Sequence, residues 1–152
     1  DGTAAAPRRA IFAHTGQVEK GGADYLGHRE RVSNRVYLWG EKRGLSLEDL
    51  DTATAVAYLH DVIEDTKITI EMLAELGCPD EVRWRVLTLT RTSGLASERY
   101  YAAIKRDPIA LLVKEADIAD NLDPDRLAML DKETSVRLRI KYAKAKTALG
   151  LT

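Results

Sequence analysis

An all-α fold in a single domain is what this sequence predicts, and three observations lead there. Apolar residues recur at helical spacing along nearly the whole chain. Aromatic residues make up only 6% of the 152 residues, and no alternation of apolar and polar positions bounded by hairpin signals marks a strand. Start and stop signals then divide the chain into a bundle of about eight helices, and the length suits one hydrophobic core rather than two.

The elements follow in order. The opening DGTAAA, residues 1 to 6, reads as an unstructured end ahead of a domain covering 7 to 152. A first helix is expected over 8 to 18, ended by the Gly21-Gly22 pair. A long second one covers 24 to 43, with His28, Val32, Val36 and Trp39 on one stripe and Gly44 past its end. The third runs from Asp51 to Asp65. Thr69 caps a short fourth helix that stops at Gly77, Pro79 opens a fifth carrying Val82, Val86 and Leu89, and Ser97 caps a sixth. Asp107-Pro108 and Asp123-Pro124 each read as an N-cap followed by a first-turn proline, starting helices over 108 to 121 and 124 to 130. A last helix covers 133 to 149 before Gly150, and Trp39 and Trp84 are expected in the core.

Charge and cysteine content narrow the function classes. With 23 basic and 24 acidic residues the formal net charge is −1, so no global field draws the chain to nucleic acid or to an anionic membrane. Phosphate chemistry here must rest on local charge. The single cysteine, Cys78, excludes an intramolecular disulfide, and neither a signal peptide nor a run of about 18 apolar residues occurs. A cytoplasmic protein is expected.

Three places carry the chemistry. AYLHDVIEDT, residues 57 to 66, sets His60, Asp61, Glu64 and Asp65 within about 140° of arc on a continuous helix, opposite Val56, Leu59 and Ile63. LLVKEADIADN, residues 111 to 121, sets Asp117 and Asn121 four apart among apolar neighbours, a costly place for a carboxylate without a metal or a partner. Lys114, three residues earlier, is the alternative partner, which would make Asp117 half of a buried ion pair. His28, on its apolar stripe, is either a core histidine or a further ligand.

These stretches resemble blocks of a known family, the HD-domain metal-dependent phosphohydrolases, and in particular the hydrolase domain of the RelA/SpoT type and the free-standing small alarmone hydrolases. AHTGQVEKGGADYLGH (13 to 28) resembles that group's opening AHxGQxRKSGxPYxxH, and LHDVIEDT (59 to 66) its HD and ED block. GCPDEVRWRVLTLT (77 to 90) resembles the following G...V...V..LT block, and VKEADIADN (113 to 121) its VKLADxxxN. The order and spacing of the blocks also agree, over nearly the whole chain.

The resemblance implies that His28, His60, Asp61 and Asp117 hold one divalent cation, Mn²⁺ first and Fe²⁺, Co²⁺ or Zn²⁺ otherwise, a mixed nitrogen and oxygen set that these metals favour. With only His14, His28 and His60 in the chain, a two-metal site needing further histidines cannot be built, and His14 does not match a ligand position. Glu64 and Asp65 fall beside the attacking water as the catalytic carboxylates, and Lys20, Lys114, Asn121 and Tyr142 at the substrate. The implied substrate is a small phosphorylated nucleotide, guanosine tetra- or pentaphosphate, losing its 3′-pyrophosphate; the implied enzyme is a metal-dependent phosphohydrolase. Arg91, Arg126, Arg137 and Lys141 are further basic candidates near the phosphates.

Two departures point to alternatives. The family's RKSG is EKGG at 19 to 22, so Glu19 stands where an arginine would stack on a base, and Gly21 replaces a serine. Its HN becomes Asp120-Asn121, which reads as added negative charge beside the site. A hydrolase with the same metal but a different phosphorylated metabolite is one alternative, and a non-catalytic nucleotide-binding regulatory domain is another.

Overall fold

In a computed structural model of the chain, residues 23–151 are described. The expected opening end, the helix over 8 to 18, the Gly21-Gly22 stop and Lys20 lie outside them. The described residues form helices and no strand. In chain order these are α1 (Ala23–Lys42), α2 (Leu47–Leu59), α3 (Val62–Asp65), α4 (Ile70–Glu75), α5 (Asp80–Leu89), α6 (Ser97–Arg106), α7 (Pro108–Asn121), α8 (Pro124–Ala128) and α9 (Lys132–Leu149). None is long and apolar enough to cross a membrane.

Local chemistry sets most of the boundaries. The Thr69, Asp107 and Asp123 side chains accept from the backbone N–H groups of Met72, Ala110 and Asp125, so each supplies a partner that a first helical turn lacks. Asp131 does the same for Thr134 at the start of α9, and Gly150 closes that helix with φ +72°, a left-handed conformation that glycine adopts without steric cost. Ser97 departs from expectation. Ala96 is the extended residue before α6, and the Ser97 hydroxyl instead accepts from the Arg91 guanidinium at 3.0 Å.

The third predicted helix needed a larger correction. It starts earlier than Asp51, because Ser46 caps α2 by accepting from Asp49 N–H. It also ends earlier, at Leu59, and α3 begins only at Val62. The His60 ring is the physical reason: its Nδ1–H donates to the Ala57 carbonyl at 2.5 Å, an acceptor that an unbroken helix offers to the Asp61 amide. Asp61 turns to φ −116°, ψ 8°, and the ladder resumes when Asp65 N–H reaches the Asp61 carbonyl. The face computed for a continuous helix therefore does not apply, and two short helix ends present the four polar side chains instead.

The core lies around α7. That helix packs against α1, α2, α5, α6 and α9, so it has apolar residues on nearly every side: Ile109, Ala110, Leu112, Val113, Ala116 and Ile118 are all buried. Val32 and Val36 of α1, Val56 and Leu59 of α2, and Val86 and Leu89 of α5 close over it. Burial stabilises each such aliphatic side chain by about 1.5–3 kcal/mol relative to exposure. Trp39 packs on this cluster as expected, whereas Trp84 lies at the surface, 38% exposed, with the Arg85 guanidinium 4.2 Å from its ring. A helix packed on most of its circumference thus carries Asp117 and Asp120 into the interior, opposite the break between α2 and α3.

Candidate metal centre

Three helices bring the candidate ligands together. His28 comes from α1, His60 and Asp61 from the break after α2, and one ligand atom from each lies within 4.8 Å of the other two. Asp117, from α7, stands beside them. Its Oδ1 is 3.0 Å from His28 Nε2 and 3.3 Å from His60 Nε2. The two imidazoles meet edge to face with their centroids 5.6 Å apart.

Each imidazole is fixed from behind. His60 Nδ1 donates to the Ala57 carbonyl, which leaves Nε2 as the nitrogen facing the cluster. His28 Nδ1 lies 2.6 Å from Asp120 Oδ2, with Nε2 again facing inward. Asp61 Oδ1 accepts from Nε of Arg29, a residue that is 0% exposed and stacks over Tyr58. Two inward imidazole nitrogens and two carboxylates form a donor set that suits a divalent first-row cation, and an acceptor behind each ring fixes the geometry in the way metal-binding histidines require.

The charges of this buried cluster depend on one another. Burial alone would lower the pKa of His60, but the Asp117 and Asp61 carboxylates raise it to about 9. Burial alone would raise Asp117, yet Lys114 and His60 hold its carboxyl well below the usual range. Lys114, whose Nζ is 3.1 Å from Asp117 Oδ2, is itself pulled down by burial and raised further by Asp117. The ion pair read from the sequence as an alternative is thus present, and it shares Asp117 with both histidines. Asn121 Nδ2 donates to Asp117 Oδ1 at 3.1 Å.

The cluster forms one side of an open cavity of about 670 Å³. Glu64 and Asp65 line it, as do Lys114, Asn121 and Tyr142. Glu64 is fastened at the rim, where its Oε1 accepts from the Arg91 backbone N–H. Arg91, Arg126 and Lys141 add cationic groups to the lining, while Arg137 is not among the lining residues. Tyr100, Tyr101 and Tyr142 supply aromatic wall. Burial pushes the Tyr100 and Tyr142 phenols up, and Tyr100 donates to the Leu89 carbonyl.

Sequence reasoning missed several of these residues. Arg29 stands three and seven residues before Val32 and Val36, so its place on the buried face was legible, and a cation there signals a carboxylate nearby. Asp120 corrects an expectation: it adds no free negative charge to the site. It is 0% exposed, does not line the cavity, and is neutralised by Arg31 Nε at 2.8 Å and by Arg126. Burial opposes its ionisation, but Arg31 and His28 hold its pKa down. Nothing local in the sequence signals the contact with His28, because 92 positions separate the two residues.

Two comparisons bear on this site. The family model for the HD domain matches residues 25–125. A protein of Mycobacterium leprae (strain TN) named as a probable GTP pyrophosphokinase is 32% identical over 137 residues, an alignment that covers 80% of this chain and 16% of that relative. The chain therefore spans well under two thirds of the relative it matches.

Proposed function

The chain belongs to the HD-domain family, and from that premise we propose that it is a metal-dependent phosphohydrolase whose cavity removes pyrophosphate from the 3′ position of a purine nucleotide of the (p)ppGpp type. The observation that carries the reading is a His/Asp cluster beside a wall of Arg91, Lys114, Arg126 and Lys141, where several phosphates can be held together. The relative's name, a probable GTP pyrophosphokinase, supports a guanine nucleotide and a pyrophosphoryl group.

In this proposal His28, His60, Asp61 and Asp117 hold one divalent cation, Mn²⁺ by preference. When bound, the cation lowers the pKa of a water and polarises a phosphate oxygen. Glu64 takes the proton from the attacking water; its Oε1 is fixed by the Arg91 backbone N–H, which leaves the other oxygen for that transfer. Asp65 orients the water. Lys114 and Asn121, both anchored on Asp117, face the phosphates, and Lys20 joins them from outside the described residues. Tyr142 packs against the base or sugar. Water adds to the phosphorus bonded to the 3′ oxygen, the bond between that phosphorus and the 3′ oxygen breaks, and the oxygen takes up a proton as pyrophosphate leaves.

A second reading, the same chemistry on another phosphorylated metabolite, is favoured by Glu19 and Gly21, which replace the arginine and serine of the family's opening block. One experiment separates the two. Protein loaded with Mn²⁺ is incubated with 3′-pyrophosphorylated guanosine nucleotides, simple nucleotides and NADPH, and released pyrophosphate and phosphate are measured. Pyrophosphate from the 3′-substituted nucleotides alone supports the first reading. Turnover confined to other compounds transfers the site to the second, and full activity of His60→Ala or Asp117→Ala would remove the metal mechanism altogether.

A further inference from the structure

We propose that Asp120 is a positioning residue of the metal centre, a buried carboxylate that holds the His28 ring with Nε2 toward the His60, Asp61 and Asp117 cluster. The role rests on the reading of His28 as a ligand. Asp117 and Asp120 are three residues apart on α7 and engage the two nitrogens of the same imidazole, at 3.0 Å on Nε2 and 2.6 Å on Nδ1. One helix therefore grips the ring from front and back.

Asp120 has no other place in the reaction. It is fully buried, does not line the cavity, and both of its oxygens are taken. Oδ1 accepts from Arg31 Nε at 2.8 Å, and Oδ2 accepts from Arg31 Nη2 at 3.3 Å and from Arg126 as well as facing His28. Such a carboxylate cannot swing to the cation. What it can do is keep the proton of His28 on Nδ1, fix the ring plane and make Nε2 a stronger donor. His60 has only a backbone carbonyl behind it, so the two histidines differ in how firmly they are set. Arg126 also lines the cavity, which puts the guanidinium that braces Asp120 within reach of a bound phosphate.

The test uses Zn²⁺ as a diamagnetic probe and two variants, Asp120→Ala and the isosteric Asp120→Asn. Ring-nitrogen NMR follows which nitrogen of His28 keeps its proton in the zinc-loaded protein, in a chain with three histidines, and competition with a chromophoric chelator gives the affinity. The wild-type protein should keep the His28 proton on Nδ1. Asp120→Ala should lose that fixed state and bind Zn²⁺ about 10–100-fold more weakly. Asp120→Asn, whose amide oxygen still accepts from Nδ1, should recover most of the loss. A merely structural role would lower stability in Asp120→Ala without changing the ring state or the affinity of the folded protein, and that result overturns the proposal. Wild-type His28 signals that do not respond to Zn²⁺ overturn the ligand assignment itself, together with the proposal; signals that respond equally in wild type and Asp120→Ala overturn only the role of Asp120.

Discussion

Cation binding should be strongly pH-dependent through one proton on His60. In the metal-free cluster this histidine titrates at about 9, because Asp117 and Asp61 outweigh the penalty of burial. Its Nδ1 proton is held by the Ala57 carbonyl, so the proton in question sits on Nε2, beside Asp117 Oδ1. A cation on Nε2 must displace it. At pH 7, two units below that pKa, about 1% of the sites carry a neutral His60, and the apparent affinity is about 100-fold below its plateau. The affinity should therefore rise about tenfold per pH unit between roughly pH 7 and 8.5, with about one proton released per cation at pH 7.5. Titration calorimetry in buffers of different ionisation enthalpy counts the protons, and chelator competition across the pH series gives the slope. His60→Ala should bind weakly and lose this slope. An affinity that is flat from pH 7 to 8.5 in the wild-type protein would refute the argument, since it would mean that His60 is already neutral or is not a ligand.

The same proton stabilises the metal-free fold: raised from 6.5 to about 9, it contributes up to about 3 kcal/mol below pH 6.5, lost as pH rises through 9. Urea titrations should show that decline without cation and a much smaller one with it. Glu64→Gln should retain cation affinity while kcat falls by about 10²–10⁴-fold, the usual contribution of a positioned base; unchanged kcat would reassign the proton transfer. Lys114→Met removes one cationic partner of Asp117 and leaves His60 as the other, so it should destabilise the metal-free protein by about 1.5–3 kcal/mol, an effect the bound cation reduces, as thermal melts with and without Mn²⁺ would reveal. Leu59→Ala, at a side chain 1% exposed just before the helix break, should cost about 2–5 kcal/mol in chemical denaturation.

How much of this was legible in the sequence depended on whether the deciding partner was local. Asp107 and Asp123 could be read as caps because the amides they satisfy lie two or three residues away, and a proline follows each. The apolar surroundings of Asp117 were equally visible, since Leu112, Val113, Ala116 and Ile118 of the same helix lie close to it in the sequence. The break between α2 and α3 was not, because the apolar pattern runs through it from Val56 to Ile63 and only the His60 ring, folding back on Ala57, interrupts the ladder. Asp120 was misjudged for the opposite reason. Its sequence neighbourhood shows an extra acid, and only the packing of α1 on α7 reveals that Arg31 neutralises it and that His28 uses it. Candidate ligands can be proposed from residue type and the family's sequence blocks, whereas the groups that would orient them belong to whichever helix lies behind. For this centre the fold therefore contributes what the motif cannot specify: α7 supplies a carboxylate to each nitrogen of one imidazole, and a buried arginine on α1 sets the other acid, Asp61, at the helix break.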